Sequence, residues 1–210
     1  MRQRLYACFL FACVFTAAPR LQAQDDNAYK TPPKEIEELV LAKPTPSVGI
    51  DRKANWMILM ESSSFPSVEE LAQPELRIAG LRIDPNNFGP SRGSQITGLQ
   101  LKNIQTKEGY SIKDLPANLQ ASAPQWSPDE TQFAFTNTSP DRIDLYRVNI
   151  AEKRAYKVNK TPLNLVLGGF GGGFSWLDNN TLLYRGVANN LQQLPPKPPA
   201  PKGPNIQESK

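Results

Sequence analysis

One internal repeat constrains the fold of this 210-residue chain more than any other feature. The segments "WSPDETQFAFT" (126–136) and "WLDNNTLLYRG" (176–186) each begin with tryptophan, continue through a turn that contains aspartate, and end in an apolar strand. Their tryptophans lie 50 residues apart. "PSVGIDRKANWMILM" (46–60) resembles a degraded earlier copy. A period of about 40–50 residues is typical of folds that repeat one small supersecondary unit.

Short apolar or alternating segments predict the other strands. They are "NWMILM" (55–60), "LRIAGLRI" (76–83), "ITGLQLKNI" (96–104) and a hairpin of 143–150 with 154–159. Four strands per repeat are characteristic of a β-propeller blade. A coincidental pair of tryptophans in a β-sandwich is the alternative. We therefore predict an all-β fold, an incomplete β-propeller of about three blades of antiparallel strands.

The sequence divides into four regions. Residues 1–23 have the features of a secretory signal peptide, because a basic start precedes an apolar run that is too short for a membrane span; a buried N-terminal helix is the alternative. Residues 24–46 form an N-terminal extension with one short helix. The partial propeller occupies 47–192, and 193–210 is a Pro-rich loop or linker, since proline is excluded from central strands and helix interiors.

Cleavage of the signal changes what the composition implies. It removes three arginines and both cysteines, Cys8 and Cys13, so the formal net charge falls from +4 to +1. The remaining chain has no thiol for disulfides and no basic excess that would indicate nucleic acid. We predict an exported protein, periplasmic or extracellular, without a nucleic-acid partner and without a membrane span after signal cleavage.

The 210 residues contain no histidine. A Ser-His-Asp or Cys-His relay needs an imidazole to accept the proton near neutral pH, so this chain carries no such relay. Zinc sites of the common histidine-containing kinds are also excluded, because the chain has no imidazole to serve as a ligand. Calcium-loop and phosphate-loop patterns are also absent from the sequence. We expect no catalytic residue, no metal and no cofactor in this chain.

A G-x-S-x-G pattern at Gly89–Gly93 matches the nucleophile elbow of α/β-hydrolases. Loop residues precede it and a strand-like segment follows it, whereas the elbow requires a strand before and a helix after. We interpret the segment as a turn. A small hydrolase that uses Ser91 is a further hypothesis, and the missing histidine weighs against it.

Arg77, Arg82 and Arg92 lie close together in the sequence. The planar guanidinium group suits carboxylate recognition, because it donates two parallel hydrogen bonds. The simpler interpretation is a solvated strand face that pairs with Glu75 and Asp84. Three other acids are interpreted as turn formers: Asp129, Asp141 and Asp144.

Several segments together resemble a known family. "YKTPPKEIEELV" (29–40), "LAQPELRIAGLRIDPNNFGPSRGSQITGLQL" (71–101), "WSPDETQFAFT" (126–136) and "GPNIQES" (203–209) resemble the N-terminal β-propeller of secreted S9 serine peptidases, the prolyl oligopeptidase superfamily, and within it the glutamyl endopeptidase-like branch. The resemblance implies an enzyme whose propeller of seven or eight blades limits peptide entry to a C-terminal α/β-hydrolase domain. That domain would hold the catalytic Ser, Asp and His, and it is missing from these residues.

The resemblance implies a role for this chain in an exported serine peptidase. The propeller segment would gate or position peptide substrates and would not be catalytic by itself. Cleavage after glutamate would need a cation near the cleft, and Arg82 and Arg92 are the substrate-binding candidates. The alternative is a free-standing periplasmic propeller-like binding module of the TolB kind. We also expect residues 24–210 alone to be marginally folded or aggregation-prone, because open blade edges are unpaired.

Overall fold

The computed structural model describes residues 32–66, 68–167 and 173–188. Nearly all regular structure in these ranges is β-strand, so the all-β class predicted from the sequence is confirmed. The predicted signal peptide (1–23) and the Pro-rich segment (193–210) lie outside the described residues.

The chain divides into two compact units, Met1–Ala42 and Lys43–Lys210. The described part of the first unit holds helix α1, Lys34–Leu41, which agrees with the short helix expected within the N-terminal extension. Pro33 precedes the helix, and Glu35 and Glu37 in its first turn complement the positive end of the helix dipole. Every residue of α1 is exposed.

The second unit contains a short helix, α2 (Val68–Ala72), and thirteen strands among its described residues. In chain order the strands are β1 (Ser47–Ile50), β2 (Trp56–Ser62), β3 (Leu76–Ile78), β4 (Leu81–Asp84), β5 (Gly89–Pro90), β6 (Ile96–Asn103), β7 (Gly109–Ser111), β8 (Ala121–Trp126), β9 (Gln132–Thr138), β10 (Ile143–Asn149), β11 (Arg154–Lys157), β12 (Phe174–Trp176) and β13 (Leu182–Tyr184).

The largest sheet has eight antiparallel strands in the order β1-β2-β6-β8-β9-β10-β11, with β7 also paired to β6. It consists of two four-stranded meanders, β1-β2-β6-β7 and β8-β9-β10-β11. A single residue pair, Ile96 with Ala121, joins β6 to β8. Strands β12 and β13 form a separate two-stranded sheet. The described sheets are open. They contain two four-stranded meanders, whereas the sequence predicts about three four-stranded blades.

The repeated sequence segments coincide with three hairpin turns, which connect β1 to β2, β8 to β9, and β12 to β13. A backbone hydrogen bond closes each turn, between Asp51 and Trp56, Ser127 and Gln132, and Leu177 and Thr181. An aspartate carboxylate in each turn accepts a backbone N–H, which is a common way to stabilise a tight turn. The acceptor and donor pairs are Asp51 with Asn55, Asp129 with Thr131, and Asp178 with Asn180.

The second meander is packed on both faces. Phe133 and Phe135 of β9 point into the larger apolar cluster, which they share with Ile58 and Leu101 of the first meander. On the opposite face, Leu145 and its neighbours belong to a second cluster that includes residues of β12 and β13. Strand β9 is therefore buried at each position from Gln132 to Asn137, and it is the central strand of the described core.

Candidate functional site

The arginines singled out in the sequence lie on an insertion between β2 and β6 of the first meander. This insertion holds helix α2 and the three-stranded sheet β3-β4-β5. Ala79 and Gly80 form the turn between β3 and β4, with φ angles of 48° and 85°. Two positive φ angles are typical of the two-residue turn that best fits the twist of a hairpin, and glycine accepts this conformation without strain. The resulting register places Arg77 directly opposite Arg82.

The turn after β4 anchors the insertion to the second meander. The buried Asp84 carboxylate accepts a hydrogen bond from the side-chain amide of Asn87 at 2.9 Å. The same amide lies 3.3 Å from the carbonyl of Ser139, which follows β9. The backbone N–H of Leu165 donates to the carbonyl of Phe88 at 2.8 Å. These contacts fix the base of the hairpin, while its arginine face stays exposed.

Three arginines and one serine converge on the carboxylate of Glu75. Arg77 Nε donates to Oε1 at 2.7 Å, and Arg77 Nη2 lies 2.7 Å from the same oxygen. Arg82 Nη1 lies 3.2 Å from the same oxygen. On the other side, Ser91 Oγ donates to Oε2 at 2.9 Å and Arg92 Nε lies 3.3 Å from it. We call Arg77, Arg82, Arg92 and Glu75 the arginine cluster.

The cluster has its anion inside and its cations outside. The Glu75 side chain is 11% exposed, whereas those of Arg77, Arg82 and Arg92 are 67%, 47% and 48% exposed. Hydrogen bonds from Arg77 and then from Ser91 lower the pKa of Glu75 from its ordinary 4.5 to about 2. In the ion pairs of the described residues, these three cations share this one carboxylate, so the cluster has a surplus of positive charge.

The structure thus brings Arg77, Arg82 and Arg92, which are close together in the sequence, to one carboxylate. The predicted pairing with Glu75 is present. The predicted pairing with Asp84 is wrong, because Asp84 is buried and its carboxylate bonds within its own turn.

Gly89 and Pro90 of the G-x-S-x-G pattern form β5, and the turn lies before them, at residues 85–88. Ser91 lies in the connection between β5 and β6. It follows the short strand β5 and precedes β6, so no helix follows it as a nucleophile elbow would require. Its hydroxyl donates to the Glu75 carboxylate, so Ser91 helps to hold the anion at the centre of the arginine cluster.

A second ionic group surrounds Asp144, which was interpreted from the sequence as a turn former. That interpretation is wrong, because Asp144 lies within β10 and is buried. Its carboxylate lies 2.8 Å from Arg142 Nη2 and 2.7 Å from Lys157 Nζ, and it accepts from Asn159. Burial raises the pKa of Asp144, but bonds from Lys157 and Arg142 outweigh burial and hold the pKa below its ordinary value. This group ties β10 to β11.

Asp129 and Asp141, the other two acids interpreted as turn formers, lie outside strands. Asp129 accepts from Ser127 and Thr131 and forms the β8–β9 turn, as predicted. Asp141 lies in the connection between β9 and β10. The described residues contain no group of three acidic, cysteine or histidine side chains arranged to hold a metal ion. No helix among them is long and apolar enough to cross a membrane.

Two curated proteins are similar to most of this chain. One, named "Probable glutamyl endopeptidase, chloroplastic", from Oryza sativa subsp. japonica, is 27% identical over 192 residues, which are 86% of this chain and 20% of that protein. A protein of the same name from Arabidopsis thaliana is 27% identical over 187 residues, 85% of this chain and 19% of that protein. The chain therefore spans about a fifth of the length of these relatives. No family model matches the sequence, and no solved structure matches it.

Proposed function

We propose that this chain is the N-terminal β-propeller segment of an exported serine peptidase, in which it gates or positions peptide substrates without being catalytic itself. The similarity to two glutamyl endopeptidase-named proteins carries this proposal, because it covers 85% or more of the chain. The chain matches only about a fifth of each relative, so the peptidase chemistry is assigned to other parts of a longer polypeptide.

The strand pairing supports the propeller interpretation. A propeller is built from consecutive four-stranded antiparallel units, and the described chain contains two such meanders followed by the paired strands β12 and β13. A blade within a ring is covered on both faces by its neighbours. The second meander has this property, since separate apolar clusters lie on its two faces.

The repeated turns also contact one another in sequence order. The backbone N–H of Arg52, in the first turn, donates to Glu130 Oε1 in the second at 2.6 Å. Lys53 Nζ donates to the carbonyl of Asp129 at 3.0 Å. The side chain of Gln132, which closes the second turn, donates to the carbonyl of Asn179 within the third turn. Successive units therefore meet through equivalent turns, which is the relation expected of neighbouring blades.

Because these 210 residues contain no histidine, we propose that a catalytic Ser-His-Asp triad lies outside them. The proposed role of this chain is contact with the peptide substrate. Arg82 and Arg92 remain our candidates for that contact, since both present exposed guanidinium groups on an anchored hairpin. Export is proposed from the signal-like residues 1–23.

The test is peptide hydrolysis by the native polypeptide that carries this sequence. We expect hydrolysis of short glutamate-containing peptides, loss of activity with a serine-directed inhibitor, and little cleavage of the same sequence inside a folded protein. The full 210-residue chain alone is the control and should hydrolyse neither substrate. A native polypeptide that hydrolyses no peptide would overturn the peptidase proposal and favour the binding-module alternative.

A further inference from the structure

We propose that the β3–β4 hairpin is a membrane-docking element, which inserts its apolar tip into the surface of a bilayer that carries anionic phospholipids. The tip consists of Ile78, Ala79, Gly80 and Leu81. This inference goes beyond the proposed function and does not depend on it, because vesicle binding is measured without any peptide.

The tip of the hairpin is apolar and exposed. Ile78 is 56% exposed and Leu81 is 40% exposed, and these two residues are paired directly across the hairpin. Leu76, which is 39% exposed, lies two residues before Ile78 and therefore on the same face. A Cβ built on Gly80 would have no other heavy atom within 4 Å, so the turn is open to solvent on that side. A contiguous group of exposed aliphatic side chains indicates a binding surface, whereas single ones do not.

The residues of the turn itself are the second argument. Ala79 and Gly80 both have positive φ angles, 48° and 85°. Asn-Gly and Asp-Gly are the preferred pairs in such a turn, because a short polar side chain tolerates the left-handed conformation, whereas alanine is strained there. The chain therefore has an apolar residue at the position where turn stability favours a polar one. This choice is expected of a tip that leaves water when it docks.

Two arginines border the apolar tip, one on each strand. Arg77 precedes Ile78 and Arg82 follows Leu81, and the two arginines are paired on the face opposite to the apolar one. Like charges directly opposite each other weaken a strand pair unless an anion lies between them, and Glu75 supplies one negative charge for three cations. A surplus of positive charge therefore lies beside the apolar tip. A bilayer surface presents the matching order, with acyl chains inside and anionic phosphates outside them.

A lipid surface fits the apolar and the basic features of the hairpin together. Long basic side chains extend their charged ends toward the phosphates while their apolar neighbours are buried among the acyl chains. A short apolar element alone binds a membrane only weakly, and basic residues beside it supply the second contribution. The base of the hairpin is fixed by the buried side chains of Asp84 and Asn87, so little conformational freedom is lost on docking.

The experiment is flotation of the native polypeptide that carries this sequence with lipid vesicles. One set of vesicles contains phosphatidylcholine and phosphatidylglycerol in equal parts, and the control set contains phosphatidylcholine alone. We expect binding to the anionic vesicles, weaker binding at higher salt because exposed charges are screened, and little binding to the neutral vesicles. The double change Ile78→Ser with Leu81→Ser should weaken binding to the anionic vesicles about tenfold or more, because two aliphatic side chains no longer enter the apolar layer.

Arg77→Gln should weaken vesicle binding about fivefold, which is the contribution of one basic residue near an anionic surface. We test Arg77 and not Arg82, because Arg82 is also a candidate for peptide contact. Arg154→Gln is the matched control, since Arg154 is an exposed arginine whose ion-pair partner, Asp114, lies outside the arginine cluster. Leu183→Ser controls for the loss of an exposed aliphatic side chain elsewhere in the chain. Neither control should change vesicle binding.

Ala79→Asp decides the question if the serine variants do not fold. Aspartate is favoured in this turn, so the hairpin should be kept, while a negative charge at the tip should weaken binding to the anionic vesicles about tenfold or more.

Three results would overturn the proposal: no binding of the native polypeptide to anionic vesicles, equal binding of the double serine variant and the wild type, or an equal loss with Leu183→Ser. A cross-link from the hairpin tip to a protein partner, without vesicle binding, would also overturn it. Retained peptide hydrolysis by a polypeptide that does not bind vesicles would remove this inference alone and leave the proposed function standing.

Discussion

Replacement of core side chains on the two faces of the second meander tests its packing between neighbours. Phe135 is fully buried against the first meander, and its ring is stacked on that of Tyr146 with centroids 5.6 Å apart. Leu145 is fully buried on the opposite face. Truncation of buried side chains costs about 3–5 kcal/mol for Phe→Ala and about 2–5 kcal/mol for Leu→Ala, because transfer energy is lost and a cavity remains. We expect both Phe135→Ala and Leu145→Ala to lower the free energy of unfolding by these amounts.

The assay is urea denaturation of the native polypeptide that carries this sequence, followed by tryptophan fluorescence. Phe135→Leu is a graded variant for the case in which Phe135→Ala does not fold. Leu183→Ala is the control, because Leu183 in β13 is largely exposed. A surface substitution of this kind usually changes the free energy of unfolding by no more than about 0.5 kcal/mol. If Leu145→Ala behaves like Leu183→Ala, one face of the meander is open to solvent and our account of the packing is wrong.

Two further results are expected. The folded pKa of Glu75 lies below its unfolded value, so its contribution to stability is fully present above about pH 4.5 and is lost as the pH falls toward about 2; the difference in urea midpoint between the wild-type chain and Glu75→Gln should shrink over that interval. Gly89→Ala should cost about 1–3 kcal/mol in the same assay, because the added Cβ would lie 2.6 Å from buried Ile143 Cδ1. Gly93→Ala should be nearly neutral, because its Cβ would meet only Gln95 Nε2 at 4.0 Å, an ordinary contact distance. Equal losses would contradict the contact with Ile143.

Local sequence patterns were sufficient to predict most of the described strands. Apolar composition located β2, and alternation located β6 and the β10–β11 hairpin. The tryptophan repeat located the turns that contain Asp129 and Asp178. These features depend on residues a few positions apart, and a single sequence carries that information.

Features that depend on distant contacts were not predictable in the same way. The segment 76–83 was read as strand, but Ala79 and Gly80 turn the chain back, so it forms a hairpin in a separate small sheet. Gly80 was the signal for this turn. Asp144 was misread because its partner Lys157 lies on the neighbouring strand, and strand register is set by the folded sheet.

The convergence of all three arginines on Glu75 was not predictable for the same reason. Glu75 and Arg77 are two residues apart and share one face of an extended chain, which is visible in the sequence. The approach of Ser91 and Arg92 to the same carboxylate requires the return of the chain through β4 and β5. Sequence reasoning therefore found the cations and treated their shared anion only as a surface partner.

Our central proposal is that this chain is part of a serine peptidase, and the intact mass of the native polypeptide tests this proposal most directly. The mass should be measured before and after reaction with a fluorophosphonate probe. We predict a polypeptide several times heavier than the 23.3 kDa of this chain, with one probe adduct on a serine outside these 210 residues. A polypeptide that contains this sequence and gains no adduct would contradict the account.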